Sequence, residues 1–358
     1  MKYKSEVIGK GGISARVVAK SKSTYSGQGI VTFEYEAPKC ILAELNTHNM
    51  LVKNAQSSRA VPVKKVLEQI LNNPVTPVHW GSNKPGMVAG EEINVPVTFE
   101  DLDGHWHTHG RDDAWEYTAH TVASLQGAWE EAGYHKQIVN RIGEAFTMVK
   151  GVITGTEIDN FFHLRYHPHA DPYIYELAKC MWEAYELAEA EVLSEGEWHT
   201  PYVEHGWDPR NDEISYFTEY SDLELKHICW DSVDNQPPLK EITLEQALKI
   251  SAAACGQVSY RKLDLSGETV ERVWNNLMGG DIIHASVTGH QASPMKEPYN
   301  EQWFEVHPWE DGITHVDKTG NFWSAQFKHW IMHRKIIPNE SFKGKFVPPS
   351  KGGTKEVK

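Results

Sequence analysis

Val31-Thr-Phe-Glu-Tyr-Glu-Ala-Pro-Lys-Cys-Ile-Leu-Ala-Glu-Leu-Asn-Thr-His-Asn-Met-Leu-Val-Lys-Asn-Ala-Gln-Ser-Ser-Arg59 changes its hydrophobic period in mid-course. Up to Glu36, apolar and acidic residues alternate, the two-residue repeat of a half-buried strand. From Pro38 onward, Ile41, Leu45 and His48 follow a helical spacing that predicts a helix running towards Met50. A proline in the first turn of a helix lacks only an N–H that has no partner there. Glu44, Thr47 and His48 fall at i, i+3 and i+4, so such a helix sets all three on one face. Asn54 to Arg59 then offers small amides and hydroxyls followed by a guanidinium. Such a run can present backbone N–H groups, a hydroxyl and a bidentate fork to a phosphate. A polar helix end with a solvated arginine accounts for the same residues equally well.

Upstream of this stretch, Val7-Ile8 and Ala15-Arg-Val-Val18 read as strands. Downstream, 63–71 reads as a short helix ended by Asn72-Asn73-Pro74. Residues 74–111 are rich in Pro, Gly, His and acid and read as an irregular insertion. Helices are expected over 114–133 and 135–150 and again from Glu157. A long one opens at Asp171-Pro172, a capping residue followed by a first-turn proline. Residues 196–238 mix aromatics, Pro and acid without a period and read as a loop-rich connector. Thr243-Leu-Glu-Gln246 spells a capping box, and a helix over 266–278 is stopped by Gly279-Gly280. The Lys- and Gly-containing end, 343–358, reads as a frayed tail.

The chain has 358 residues, 40% of them hydrophobic, enough for one large core or two ordinary ones. No run of eighteen apolar residues suggests a membrane span, and Met1-Lys-Tyr-Lys-Ser-Glu6 lacks the apolar core of a secretory signal. Cys40, Cys180, Cys229 and Cys255 form no CxxC pair, so a reducing cytoplasm is expected rather than a disulfide framework. The net charge of -14 and the lack of a basic stripe argue against a nucleic-acid polymer as partner. A small phosphorylated ligand, held by a few local cations, suits the composition better.

Three separated blocks resemble the flavin-dependent thymidylate synthases. That family carries Arg-His-Arg, seven residues, then Ser-x-Arg; this chain has Thr47-His48-Asn49, seven residues, then Ser57-Ser58-Arg59. Asn160-Phe-Phe-His-Leu-Arg165-Tyr-His-Pro-His169-Ala170 is similar to the family's Asn-Phe-x-x-Leu-Arg-x-x-x-His-Ala. Gly256-Gln-Val-Ser-Tyr260 and His284-Ala-Ser-Val-Thr-Gly-His290 resemble a block that usually lies at the N-terminus. Its late position, with the ending Gly320-Asn-Phe-Trp323, Trp330, Arg334 and Lys335, looks like phage-type homologues with permuted block order.

The resemblance implies an α/β (α+β) fold, a curved antiparallel sheet flanked by helices and not a doubly wound parallel one. It implies that 1–195 and 241–342 build one core, joined by a connector over 196–240. It implies a soluble homo-oligomer that uses FAD, NADPH and methylenetetrahydrofolate to methylate C5 of dUMP. Ser57, Arg59, Arg141 and Arg165 match nucleotide-binding positions, and Glu44 stands where many members have a Gln near the base. Thr47, His48, Asn49, Asn160, His169 and His290 match cofactor-contacting positions. The reacting centre is thus expected around Arg165, Glu44 and Ser57, with Ser57 a phosphate ligand, since no base–acid pair marks it as a nucleophile. Both arginines flanking the family's His are replaced here, by Thr47 and Asn49, and Gly289 stands where the family has Glu.

Other readings stay open. An ionised Glu only accepts hydrogen bonds, which suits the cytosine amino group, so methylation or hydroxymethylation of dCMP for phage DNA is the alternative. An inactive homologue that only binds nucleotide is another. His105-Trp-His-Thr-His109, with Asp101, Asp103 and Asp112, has the look of a metal site. Read as a loop it is taken for solvated polar surface, and no metal is expected.

Overall fold

A computed structural model describes residues 5–208, 213–218, 240–259, 263–280, 283–296 and 309–344. Its elements in chain order are β1 (Val7–Ile8), β2 (Ser14–Ser23), β3 (Gly29–Pro38), α1 (Leu42–Leu45), β4 (Val52–Ala55), α2 (Val63–Asn72), β5 (Val97–Glu100), β6 (Trp106–His109), α3 (Arg111–Glu131), α4 (Lys136–Val139), β7 (Met148–Gly155), α5 (Ile158–Arg165), α6 (Pro172–Leu187) and β8 (Glu191–Leu193). Then come β9 (Glu204–Asp208), β10 (Glu213–Thr218), β11 (Lys240–Ile242), α7 (Leu244–Gly256), α8 (Gly267–Met278), β12 (Ala292–Pro294), β13 (His315–Val316), β14 (Phe322–Ser324), β15 (Phe327–Lys328), β16 (Trp330–Met332) and α9 (His333–Ile336).

The main sheet is mixed with helices, open, and runs β1-β2-β3-β7-β4 in antiparallel order, with β8 parallel to β2. Alternation decides which face each strand buries: Phe33 and Tyr35 of β3 are 0% and 2% exposed and join Ile153 of β7 in the largest core cluster. α6 covers that face with Ile174, Leu177 and Met181, all buried. Each such side chain contributes about 1.5–3 kcal/mol by leaving water. Asp171 caps α6 by accepting from the N–H groups of Tyr173 and Ile174, with Pro172 in the first turn. The capping box at Thr243 and Gln246 forms at the start of α7. Gly279 ends α8.

Several expectations need correction. The helix after Pro38 stops at Leu45, so Thr47 and His48 lie in a turn, not on a helix face. Thr47 donates its hydroxyl back to the Glu44 carbonyl at 2.7 Å, a bond that competes with further winding. The helix expected over 135–150 is only α4, and Lys150 belongs to β7, whose β-branched run pairs with β3. Residues 74–111 are not wholly irregular, for β5 and β6 form a hairpin and α3 begins at Arg111. The expected connector holds β9 and β10, which form a three-stranded sheet with β11. Beyond Gly344 the expected tail lies outside the described residues, as does Tyr260.

The C-terminal block folds back on the main sheet. Ala292, Phe327, Trp330 and Met332 pack with Ile30 of β3, and Trp330 donates its ring N–H to the Gln28 carbonyl at 3.1 Å. Among the described residues no helix is long and apolar enough to cross a membrane.

Candidate functional site

Arg165, the last residue of α5, is set by a helix face that buries Ile158, Phe161 and Phe162. Its guanidinium Nη1 donates to Glu44 Oε1, and its Nε donates to His48 Nε2 at 2.7 Å. The partners come from segments 117 and 121 residues away. His48 stands edge-on to the Phe161 ring at 5.0 Å. Burial, with the charges of Arg165 and Lys53, pushes its pKa down to about 4. The ring is therefore neutral at pH 7, and its Nε2 is free to accept from Arg165. Lys53 of β4 clips the turn by donating to the carbonyls of Leu45 and His48.

A second cluster gathers around the turn after β4. Ser57 and Arg59 are exposed, and the Ser57 hydroxyl accepts from the Arg59 N–H at 3.3 Å. Ser58 is the tethered residue: its hydroxyl donates to Glu144 Oε1 at 2.5 Å and accepts from Lys39, which also donates to Glu144 at 2.5 Å. Asn140 donates to the carbonyls of Ser58 and Val61, both at 2.8 Å, and so pins the turn to the end of α4. Burial opposes ionisation of Glu144, but the hydrogen bonds from Lys39 and Ser58 and the charges of Lys39 and Arg141 outweigh it. Its carboxyl stays below the ordinary range. Exposed Arg141 thus shares the neighbourhood of Glu144, and Ser57 and Arg59 are exposed on the tethered turn. Lys39, Asn140 and Glu144 were not foreseen; the one available signal was that Lys39 directly follows the strand-ending Pro38.

A cleft of about 470 Å³ opens beside the His48 turn, lined among others by Asn49, Lys53, Gly289, Met332 and Arg334. That volume is in the range of ordinary small-molecule sites. Gly289 keeps the wall thin, because a Cβ there would meet Val52 Cγ1 at 3.0 Å. Arg334 and Lys335 are both paired with Glu340 at 2.9 Å.

His290 lies apart from the residues above. It does not face this cleft; its ring is fully buried and its Nδ1 lies 2.8 Å from Thr154 Oγ1. Thr154 Oγ1 reaches Thr32 Oγ1 at 2.7 Å, Thr32 reaches His199 Nε2 at 2.8 Å, and His199 Nδ1 reaches Ser21 at 2.8 Å. These side chains form a hydrogen-bonded chain through the buried middle of the sheet. Burial drives the His290 pKa down to about 3; burial, with the charges of His205 and His290, does the same to His199. Asn160 and His169 are exposed, and among the described residues neither hydrogen-bonds to the Arg165 cluster. Thr47 is also exposed.

No protein-family model matches the chain, and no curated protein matches it by sequence. Solved structures match in part. A thymidylate synthase X from Helicobacter pylori, solved with FAD and dUMP, is 12% identical, with 44% of this chain and 67% of that one covered and a TM-score of 0.29. A UMP/dUMP methylase, PolB from Streptomyces cacaoi, bound with 5-Br UMP, is 15% identical, with 51% and 95% covered and a TM-score of 0.35. The same methylase with 5-Br dUMP gives 14% identity, 48% and 89% coverage and a TM-score of 0.33.

Proposed function

We propose that the chain is a flavin-dependent C5 methylase of a pyrimidine deoxynucleotide monophosphate, converting dUMP to dTMP with methylenetetrahydrofolate and NADPH. In this reading the block order is the permuted, phage-type one, and 1–195 and 241–342 build a single core. One observation carries it: the His48 turn and the Arg165 helix, which hold two of the three resembling blocks, meet at 2.7 Å. Two blocks so far apart in sequence have no local reason to converge on a guanidinium–imidazole contact.

Arg165 would hold the nucleotide, its charge oriented by Glu44 and neutral His48. Ser57, Arg59 and Arg141 would take the phosphate, on a turn kept in place by Asn140, Lys39 and Glu144. The cleft offers FAD suitable donors, with amides from Asn46 and Asn49 and cations from Lys53 and Arg334. Those cations would stand in for the arginines absent at 47 and 49. Bound there, the flavin would carry reducing equivalents from NADPH to the reacting carbon. The protein's own part is positioning: Phe161 packs edge-on against His48, and Lys53 fixes the turn that carries His48.

Glu44 favours a second reading. It acts as an acceptor towards Arg165, and an acceptor also suits the cytosine amino group, so dCMP is the alternative substrate, with a methyl or hydroxymethyl product. Purified protein incubated with dUMP or dCMP, methylenetetrahydrofolate, NADPH and FAD tests both, with products read by mass spectrometry. A 5-methyl product from dUMP alone supports the first reading, and turnover of dCMP alone supports the second. Nucleotide binding without product, and without retained flavin, identifies an inactive homologue.

A further inference from the structure

The β5–β6 hairpin carries Phe99-Glu-Asp101-Leu-Asp103-Gly104-His105-Trp-His107-Thr-His109, and none of it takes part in the site above. Gly104 adopts a left-handed φ of 85°, which turns the chain so that His105 returns towards Asp101. The N–H groups of Asp103 and His105 donate to Asp101 Oδ1 at 3.0 and 2.9 Å and hold that carboxylate still. Asp101, Asp103 and His105 then each offer a ligand atom, all within 4.8 Å of one another. His107 Nε2 stands 2.8 Å from the other oxygen, Oδ2, of Asp101. Within β6, strand alternation puts His107 and His109 on one side. His107 and His109 stack at 6.0 Å on each other and against Phe99 and Tyr117, so the imidazoles sit on a firm base. His109 Nε2 is enclosed there without a hydrogen-bond partner among the described residues.

Charge points the same way. Among the described residues no lysine or arginine pairs with Asp101 or Asp103; the neighbouring Arg111 is engaged by Glu92 and Asp112. The basic groups that stand against Asp101 are the imidazoles of His105, at 3.5 Å, and His107, at 2.8 Å. Imidazole beside carboxylate selects a first-row divalent ion over calcium or magnesium, which take oxygen ligands.

We propose that Asp101, Asp103 and His105 bind one divalent cation of the zinc type, with His107 orienting Asp101 through its second oxygen. Three protein ligands leave a position for water, and the ion would clip the hairpin turn closed. The proposal is independent of the nucleotide site.

The test is calorimetric titration of the chelator-treated full chain with zinc chloride, and separately with calcium chloride. Asp103→Asn, His105→Ala and their double variant are titrated alongside. Their side chains are exposed or half-exposed, and an unchanged unfolding midpoint without metal confirms that the variants fold. The expected result is one saturable zinc equivalent that weakens at least about tenfold in each single variant and vanishes in the double one. His107→Gln should cost about 10-fold by loosening Asp101. Cobalt gives a second readout, an absorption band that His105→Ala removes. Absence of saturable zinc binding, zinc affinity unchanged in the double variant, or calcium binding indifferent to His105→Ala would each overturn the proposal.

Discussion

Arg165 satisfies two acceptors at once, and its replacement therefore has more than one effect. On the proposed function, Arg165→Ala removes a charge-assisted contact to the nucleotide worth about 1.5–3 kcal/mol, and it also leaves Glu44 without its cation. Nucleotide affinity should fall by roughly 10- to 150-fold, and further than in Arg59→Ala, whose side chain is exposed and forms no salt bridge among the described residues. Calorimetry with dUMP checks this, and unchanged affinity in both variants would remove the pocket from consideration. A different residue governs the buried chain. Thr154 links Thr32 to His290, so the near-isosteric Thr154→Val leaves the buried His290 Nδ1 without its partner and takes one of the two partners of Thr32, which keeps His199. A loss of about 2 kcal/mol is expected, read as a lowered urea midpoint with unchanged slope. A midpoint equal to the parent's would mean that the chain contributes nothing to stability.

Among the elements, β7 was the hardest to read. Its sequence follows a short helical start at 136–139, and its partners in 29–38 lie far upstream, so no local pattern announced a central strand. Gly151 shows the reason for the pairing: it lies opposite Tyr35, whose ring occupies the space a Cβ would need. Gly151→Ala should therefore cost about 1–3 kcal/mol by overpacking. The penalty should shrink in a Tyr35→Val background, a double-mutant cycle measurable by urea unfolding. Equal penalties in both backgrounds would show that the ring is not what excludes the side chain. The caps at Asp171 and Thr243 were legible because their hydrogen bonds join residues two or three apart. In the candidate site, residue type and spacing singled out the Ser57–Arg59 turn and the Arg165 block. The tether of Ser58 to Lys39 and Glu144 was not, because it joins segments 19 and 86 residues away. His290 was found by spacing, but spacing does not say which way a ring faces.

For the whole molecule, buried histidines set the response to acid. His199 and His290 have folded pKa values near 3, below the ordinary 6.5. The unfolded chain then binds more protons than the folded one below pH 6.5. Stability from these groups is complete above that pH and is lost as pH falls towards 3, at about 1.4 kcal/mol per unit for each ring. His48 and His333, both lowered to about 4, act in the same direction. The urea midpoint should drop markedly between pH 7 and pH 5, and a flat profile there would contradict the neutral burial of these rings. The same chain of side chains bears on synthesis. Thr32 and Thr154 emerge early from the ribosome, whereas His199 and His290, which satisfy them, emerge later. At about 5–20 residues per second, the gap from Gly155 to His290 lasts roughly 7–27 seconds. Through that interval the nascent sheet carries an unsealed polar seam, so the half-made chain has a window in which holding chaperones would serve it and a stalled ribosome would leave it open.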